Sequence, residues 1–571
     1  MKVFQTLFVI IFLLICNLSV SARTYYVNTL HAQSNDSNAG TSSFPWKTIS
    51  YAVSRGEPGD TIWVESGHYD GFTITTSGTK SNPVFLKGTH RDSVFISEGI
   101  EFGKGVHHWV ISDFTIHKFD IWGVFIRGEN RHLVLDNLTI DGGEAGIRMT
   151  WGVEGEPPYD GSVSQIQIRN SLVKNCLYTA IDGSPGPCDT LLFQNLEVTG
   201  AGLQSTEWGA DGIAVERGSY IHIKDCNIHD NGGDGVDLNS RDTEGYAQGI
   251  VVRRNRITGN HRSGIKAWGG GALVNNVLTN HGFTPVVIGM YPGNYFVLHN
   301  TIAFNMQDEA YAVRNYAFTA AYPSDETSLS AAIDLTMINN IFAYNSSDAM
   351  GGFTGLYLGE GVHFVQEGCN LFYSREDGEI QAEFLNVDVW ISRPMIANGE
   401  WTQLSGLGEG DLVLEPQFVS DQNLALQPES PAINAGVALD TISTDLYGNP
   451  RHVGDKPDIG AIEFQGKQSD IALESALPMP HELWLSNYPN PFNQSTVLEY
   501  SIPVNSKVIM KILNIRGNVV YEWPEQIQSQ GRYTIQWEGI DQNRVSLASG
   551  IYLFLLNLGN EKKLHKILLT R

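Results

Sequence analysis

A chain of 571 residues with 59 glycines and only 17% charged residues has room for more than one domain and is built from many short strands and turns, not long helices. Its formal net charge of −25 repels nucleic acid and anionic lipid, which excludes both as partners. The same charge repels an acidic polymer unless a cation stands between the two.

Met1 to Ala22 begins with a lysine, runs through apolar Val9 to Ile15 and ends on Val20-Ser21-Ala22, the plan of a secretory signal peptide (1–22) and not of a membrane span. The mature chain then starts at Arg23, is exported, and has no transmembrane segment. Four cysteines remain: Cys176, Cys188, Cys226 and Cys369. A core of this size needs no staples, so buried free thiols are expected.

Residues 23–105 read as a cap with the first coils of a solenoid. TYYVN, the polar loop NDSNAGTSSFPWKTIS and PGDTIWVESGHYDG resemble the opening segment shared by many secreted β-helix proteins. The amphipathic run Thr48 to Ser54 predicts a short capping helix, and Pro58-Gly59-Asp60 a turn into the first coil.

From 106 to 465 a single unit recurs at intervals of roughly 20 to 40 residues, as in LVLDNLTI, IHIKDCNI, VLHNTI and MINNIF. Apolar residues alternate around a polar one, which makes short parallel strands with one face inside. A second polar residue follows five positions later: Asn170/Asn175, Asp225/Asp230, Asn255/Asn260, Asn275/Asn280, Asn300/Asn305 and Asn340/Asn345. Such side chains tolerate left-handed corners and can bond the next coil. The pattern resembles the right-handed parallel β-helix, an all-β solenoid.

Within the solenoid, VFIR, GIRM, AIDG, DGIAV, DGVDL and SGIKA fall in register. If Ile147, Ile181, Ile213, Val236 and Ile265 point inward, then Arg148, Asp182, Ala214, Asp237 and Lys266 point outward. Lys266 should lie beside Asp237, one strand spacing of about 4.8 Å away, and Asp211 should stack on Asp234. Carboxylates that close need a cation among them, and hard oxygen donors without clustered histidine or cysteine point to calcium. Trp208 and Trp268 flank this region and offer rings for sugar stacking, with burial as the competing reading. Arg148 and Arg241 suit a substrate carboxylate by residue type. His222, His229 and His281 are dispersed and read as solvent-facing turn residues.

The order DG, then DG-x-D, then GIK with the glycines Gly269 to Gly271, resembles the family 9 polysaccharide lyases, mainly pectate and polygalacturonate lyases. The resemblance implies calcium ligands at Asp211, Asp234 and Asp237 and a base at Lys266. The sequence departs at Gly233, where that family usually carries a further aspartate; Asp182 or Glu207 could substitute. The implied activity is calcium-dependent β-elimination on a uronate polymer, with pectate favoured. The competing reading is a non-catalytic adhesin or glycan-binding β-helix. Neither NTDG nor GHG, nor DPHD, is present, which disfavours polygalacturonase-type hydrolases and alginate epimerases.

SPAINAG and DLYGNPRHVGDKPDIGAIEF near the end of the solenoid resemble the closing segment of the same proteins. Their Asp445, Arg451, Asp458 and Glu463 read as ion pairs over the last coils, not as a second active site. A polar, proline-containing linker (466–486) leads to 487–571, whose alternating strands and turns predict a small β-sandwich. These segments resemble the C-terminal sorting domain of type IX secretion substrates of Bacteroidota and related Gram-negative bacteria. That resemblance implies the type IX machinery as partner and a secreted or cell-surface monomer.

Overall fold

The computed structural model describes residues 22–150, 161–203, 210–239, 246–307, 316–320, 332–347, 355–359, 361–374, 382–384 and 389–466. It also describes 484–488, 492, 496–502, 506–523, 525–528, 531–542, 545–558 and 561–570. The expected signal peptide, Trp208, Glu207, Arg241 and most of the expected linker lie outside the described residues. The chain divides into two compact units, Met1–Ile471 and Ala472–Arg571, with the division inside the 466–486 stretch.

The first unit winds through three parallel sheets of 13, 12 and 13 strands in chain order around each turn. The first sheet runs from Thr24–Val27 to Val362–Gly368, the second from Gly67–Tyr69 to Leu371–Tyr373, and the third from Phe72–Ile74 to Val389–Ile391. Strands of two to seven residues suffice because each face is narrow and every coil pairs with the coils before and after it. Inside, Ile147, Ile181, Ile213, Val236 and Ile265 are fully buried as one stacked column of the third sheet, the period-two expectation.

Two asparagine ladders line the ends of the second sheet. At the first, Asn255, Asn276, Asn300, Asn340 and Asn370 are at most 1% exposed, each accepting from the next lower coil and donating to a carbonyl. At the second, Asn231, Asn260, Asn305 and Asn345 do the same, with His281 on the remaining rung. The expected pairs mix two columns. Asn170, Asn175, Asp225, Asp230, Asn275 and Asn280 occupy left-handed corners with φ between 53° and 59°, whereas Asn255/Asn260, Asn300/Asn305 and Asn340/Asn345 are ladder rungs one residue further on. A corner wants a residue that tolerates positive φ, and a rung wants a buried amide that both donates and accepts; Asn satisfies each.

Both ends are capped. Helix Ile49–Arg55 covers the first coil, with Thr48 accepting from Tyr51 N at 3.2 Å as N-cap, and buries Ile49, Ala52 and Val53. At the other end Val389–Ile391 turns antiparallel on Ala382–Phe384 and ends parallel growth of the third sheet. The closing segment lies along the outside of the second sheet: Phe418, Leu424, Ala432, Ile459 and Ala461 pack on Val277, Ala303, Ile341 and Leu371. In those coils the strands are apolar on both faces, which one-sided alternation did not anticipate. Fully buried Arg451 donates to Asn275 Oδ1 (2.7 Å) and lies 3.3 Å from Glu463 Oε2. Burial pushes the Glu463 carboxyl up to about 7, against the Asp458 N–H that donates to it.

Cys176, Cys188, Cys226 and Cys369 are free thiols, the first three buried. The C-terminal unit has an antiparallel sheet of three strands, Trp484–Tyr488, Thr496–Ile502 and Gly531–Trp537. A second antiparallel sheet is centred on Ser506–Asn514, Gly550–Leu558 and Glu561–Leu569. Leu498, Tyr500, Trp537, Phe554 and Leu569 form its core. Among the described residues no helix is long and apolar enough to cross a membrane.

Candidate active site

The third sheet carries the predicted charges in register. Arg148 pairs with Asp182, Asp182 with Ala214, Ala214 with Asp237, and Asp237 with Lys266. Asp211 and Asp234 precede the Ile213–Ala214 and Val236–Leu238 strands, and each is locked by the backbone of the following coil. Asp211 Oδ1 accepts from Asp234 N and Asp234 Oδ1 from Ser263 N, both at 2.7 Å. The coil spacing therefore brings Asp211, Asp234 and Asp237 together, with one oxygen of each within 4.8 Å of the others. Lys266 donates to Asp234 Oδ2.

The cluster holds more negative charge than its one ammonium balances. Burial, with Asp234 alongside, pushes the Asp211 carboxyl up to about 7. Burial also raises Asp237 well above the ordinary carboxylate range, with Lys266 opposing it and Asp211 and Asp234 reinforcing it. Burial disfavours the charged amine of Lys266, but Asp234, Asp237 and Asp211 outweigh that and hold it above its usual range. Asp237 Oδ1 is buried without a hydrogen-bond partner. A site with surplus carboxylate charge, hard oxygen donors and an orphaned carboxylate oxygen suits a divalent cation of the calcium type.

Gly233 closes one corner of this cluster. A Cβ there would stand 2.3 Å from Asp211 Oδ1 and 2.9 Å from the Ala210 backbone, so a fourth carboxylate at this position would displace the first. Asp182 does not replace it, because its carboxylate is taken by Arg148 Nη1 and by Ser184 N.

The remaining expected contacts are distributed differently. Arg148 points outward but is engaged with Asp182. Trp268 is 7% exposed, so its ring offers no open face to a sugar. His281 is fully buried with Nε2 3.1 Å from Ile257 O, and burial lowers it to about 4; the solvent-facing reading is corrected for this residue. His222 is exposed and His229 partly so.

Two features escaped the sequence. Glu216 acts electrostatically on both Arg148 and Asp237, adding a carboxylate to the field of the site. Tyr246 and Tyr291 stack with ring centres 4.0 Å apart and planes within 3°. They lie beside the Trp268–Gly269 turn, where a Cβ on Gly269 would stand 3.0 Å from Tyr246 and 1.8 Å from Ala247 O. The glycine run was the only available sign that a neighbouring coil approaches there.

Residues 98–302 and 208–381 match the family model described as right handed beta helix region, and 486–570 match that of the secretion system C-terminal sorting domain. The chain carries a right-handed β-helix region and a secretion-system sorting domain. The sorting domain marks it for secretion or the cell surface. The uncharacterized protein YwoF of Bacillus subtilis (strain 168) is 23% identical over 330 residues, which span 47% of this chain and 70% of that one. The β-helix of pectate lyase Pel9A aligns with a TM-score of 0.43 and 16% identity, covering 78% of this chain and 97% of the other. The A-module of mannuronan C-5 epimerase AlgE4 from Azotobacter vinelandii aligns at 0.36 and 12%, covering 68% and 97%.

Proposed function

We propose that the protein is an exported polysaccharide lyase that cleaves a uronate polymer, pectate above others, by β-elimination at the third-sheet cluster. The observation that carries the reading is the meeting of three carboxylates and one amine on adjacent coils, with more negative charge than the amine satisfies. Asp211, Asp234 and Asp237 would hold calcium, which when bound would supply positive charge beside the carbanion that develops as C5 loses its proton.

Lys266 is the group placed to take that proton. It works only as the neutral amine, and the three aspartates hold it protonated while their charge is directed at it. Were a cation to take up that charge, the amine would be free to lose its proton. Arg148, partnered by Asp182 and within the field of Glu216, is positioned three strands from Asp237 to receive a carboxylate of a neighbouring sugar.

Elimination leaves an unsaturated uronate that absorbs in the ultraviolet. The mature chain offered pectate should generate that absorbance with calcium and lose it with a chelator. A flat trace on pectate, alginate and glycosaminoglycans with the polymers intact would replace the lyase with a binding or adhesive β-helix.

A further inference from the structure

Away from the carboxylate cluster, two exposed cations and three histidines gather on the corner that joins the third sheet to the first. His107 opens one first-sheet strand and Arg131 opens the next, directly paired with it. Their neighbours His108 and His132 stack with ring centres 4.3 Å apart, and His108 Nδ1 lies 3.0 Å from His107 Nδ1. Lys80, on the adjoining loop, and Arg131 are exposed. Burial first, then Lys80 and Arg131, hold His108 and His132 below the ordinary histidine range, so the standing positive charge here is that of Lys80 and Arg131. Like charges gathered this closely repel one another, and a chain of net charge −25 has many carboxylates with which to neutralise them.

The same corner continues as a column. His108, His132, Gln165, Thr190 and Tyr220 occupy equivalent positions on successive coils, all with φ between 53° and 59°. A left-handed backbone is costly for such residues and directs their side chains out of the coil. Gln165, Thr190 and Tyr220 are exposed, Tyr220 by 65%. The rungs repeat at about 4.8 Å, close to the length of one sugar in an extended glycan.

We propose that this corner is a docking surface for an acidic polysaccharide, with Lys80 and Arg131 taking its carboxylates and the column from the histidines towards Tyr220 following the chain. The polymer class rests on the lyase reading; the surface itself does not. Lys266 stands five third-sheet strands beyond Trp122–Ile126, the strand that leads into Arg131, about 24 Å along the coils at about 4.8 Å each. A polyanion repelled by most of the surface is thereby held within reach of the cluster.

The test is electrophoresis of the mature chain through native gels containing polygalacturonate, in a Lys266→Ala background so that the polymer stays whole. We expect retardation, loss of most of it on adding Lys80→Gln and Arg131→Gln, and its retention when the charges are kept as Lys80→Arg and Arg131→Lys. Equal retardation with and without the two charges, or equal retardation by neutral dextran, overturns the proposal. Patch-dependent retardation, together with no unsaturated uronate released by the chain that keeps Lys266, removes the lyase reading and leaves the docking surface standing. Cleavage with patch-independent retardation does the reverse.

Discussion

The ammonium of Lys266 donates to Oδ2 of Asp234, although the residue beside it in the strand register is Asp237. The Asp234 side chain is 1% exposed, so this amine neutralises a buried carboxylate. Truncating one partner of a buried pair strands the other charge, at a cost of about 3 kcal/mol. Lys266→Ala should therefore lose elimination and also melt lower in chelator, with calcium restoring more stability than it gives the unmodified chain. Thermal melts of both proteins with and without calcium check this; identical calcium increments would mean that the amine and the cation do not share Asp234.

Gly233 gives a second prediction at the same cluster. A methyl group there meets Asp211 Oδ1 at 2.3 Å and must push that side chain or the Ala210 backbone aside. Gly233→Ala should cost about 1–3 kcal/mol in stability and weaken calcium binding through Asp211. Calorimetric titration with calcium reads the second effect, and unchanged affinity would remove Asp211 from the ligand set.

Much of this arrangement is legible in the sequence because a solenoid converts equal phrases into equal positions. The GI and GV phrases fix the register of Arg148, Asp182, Asp237 and Lys266, and the strands pair as that register requires. The ladder was misregistered at Asn275 and Asn280 because corner and rung are adjacent and both suit Asn. His281 was misread because one polar residue in an apolar coil looks the same whether it faces solvent or bonds a carbonyl inside. Glu216, Tyr246 and Tyr291 reach the site from connections of unequal length, where the repeat carries no information.

The Arg451 guanidinium is fully buried, beside Glu463 and bonded to Asn275. Arg451→Ala leaves Glu463 buried without its cation and opens a void between the closing segment and the coils, at a cost of about 3–5 kcal/mol. Since this network lies on the second sheet and the cluster on the third, the surviving folded protein should retain its calcium affinity. Chemical denaturation measures the first effect; a loss of calcium affinity matching the loss of stability would tie Arg451 to the active site instead.

Export rests on the sorting domain matched by 486–570. Deleting 487–571 should leave the solenoid folded, because its core is separate from that of the second unit. It should also strand the protein in the periplasm of its host. Fractionation of cells expressing each form reads the outcome, and normal release of the shortened chain would deny the tail its sorting role.

His281 stands on a rung that Asn occupies in the neighbouring coils, and burial lowers its pKa from 6.5 to about 4. The unfolded chain takes up a proton at this residue near pH 6.5, whereas the folded chain resists until about pH 4. Stability is therefore lost as pH falls through that window, by about 3 kcal/mol in total, and this group adds no further loss below it. An amide in its place could donate to Ile257 O as Asn305 Nδ2 does to Leu278 O and would carry no titrating proton. His281→Asn should thus fold normally at pH 7.5 and lose less stability than the unmodified chain between pH 6.5 and 4. Because the buried acids are common to both proteins, the difference between the two denaturation series isolates His281; parallel curves would show that it titrates in the folded protein as it does in the unfolded chain.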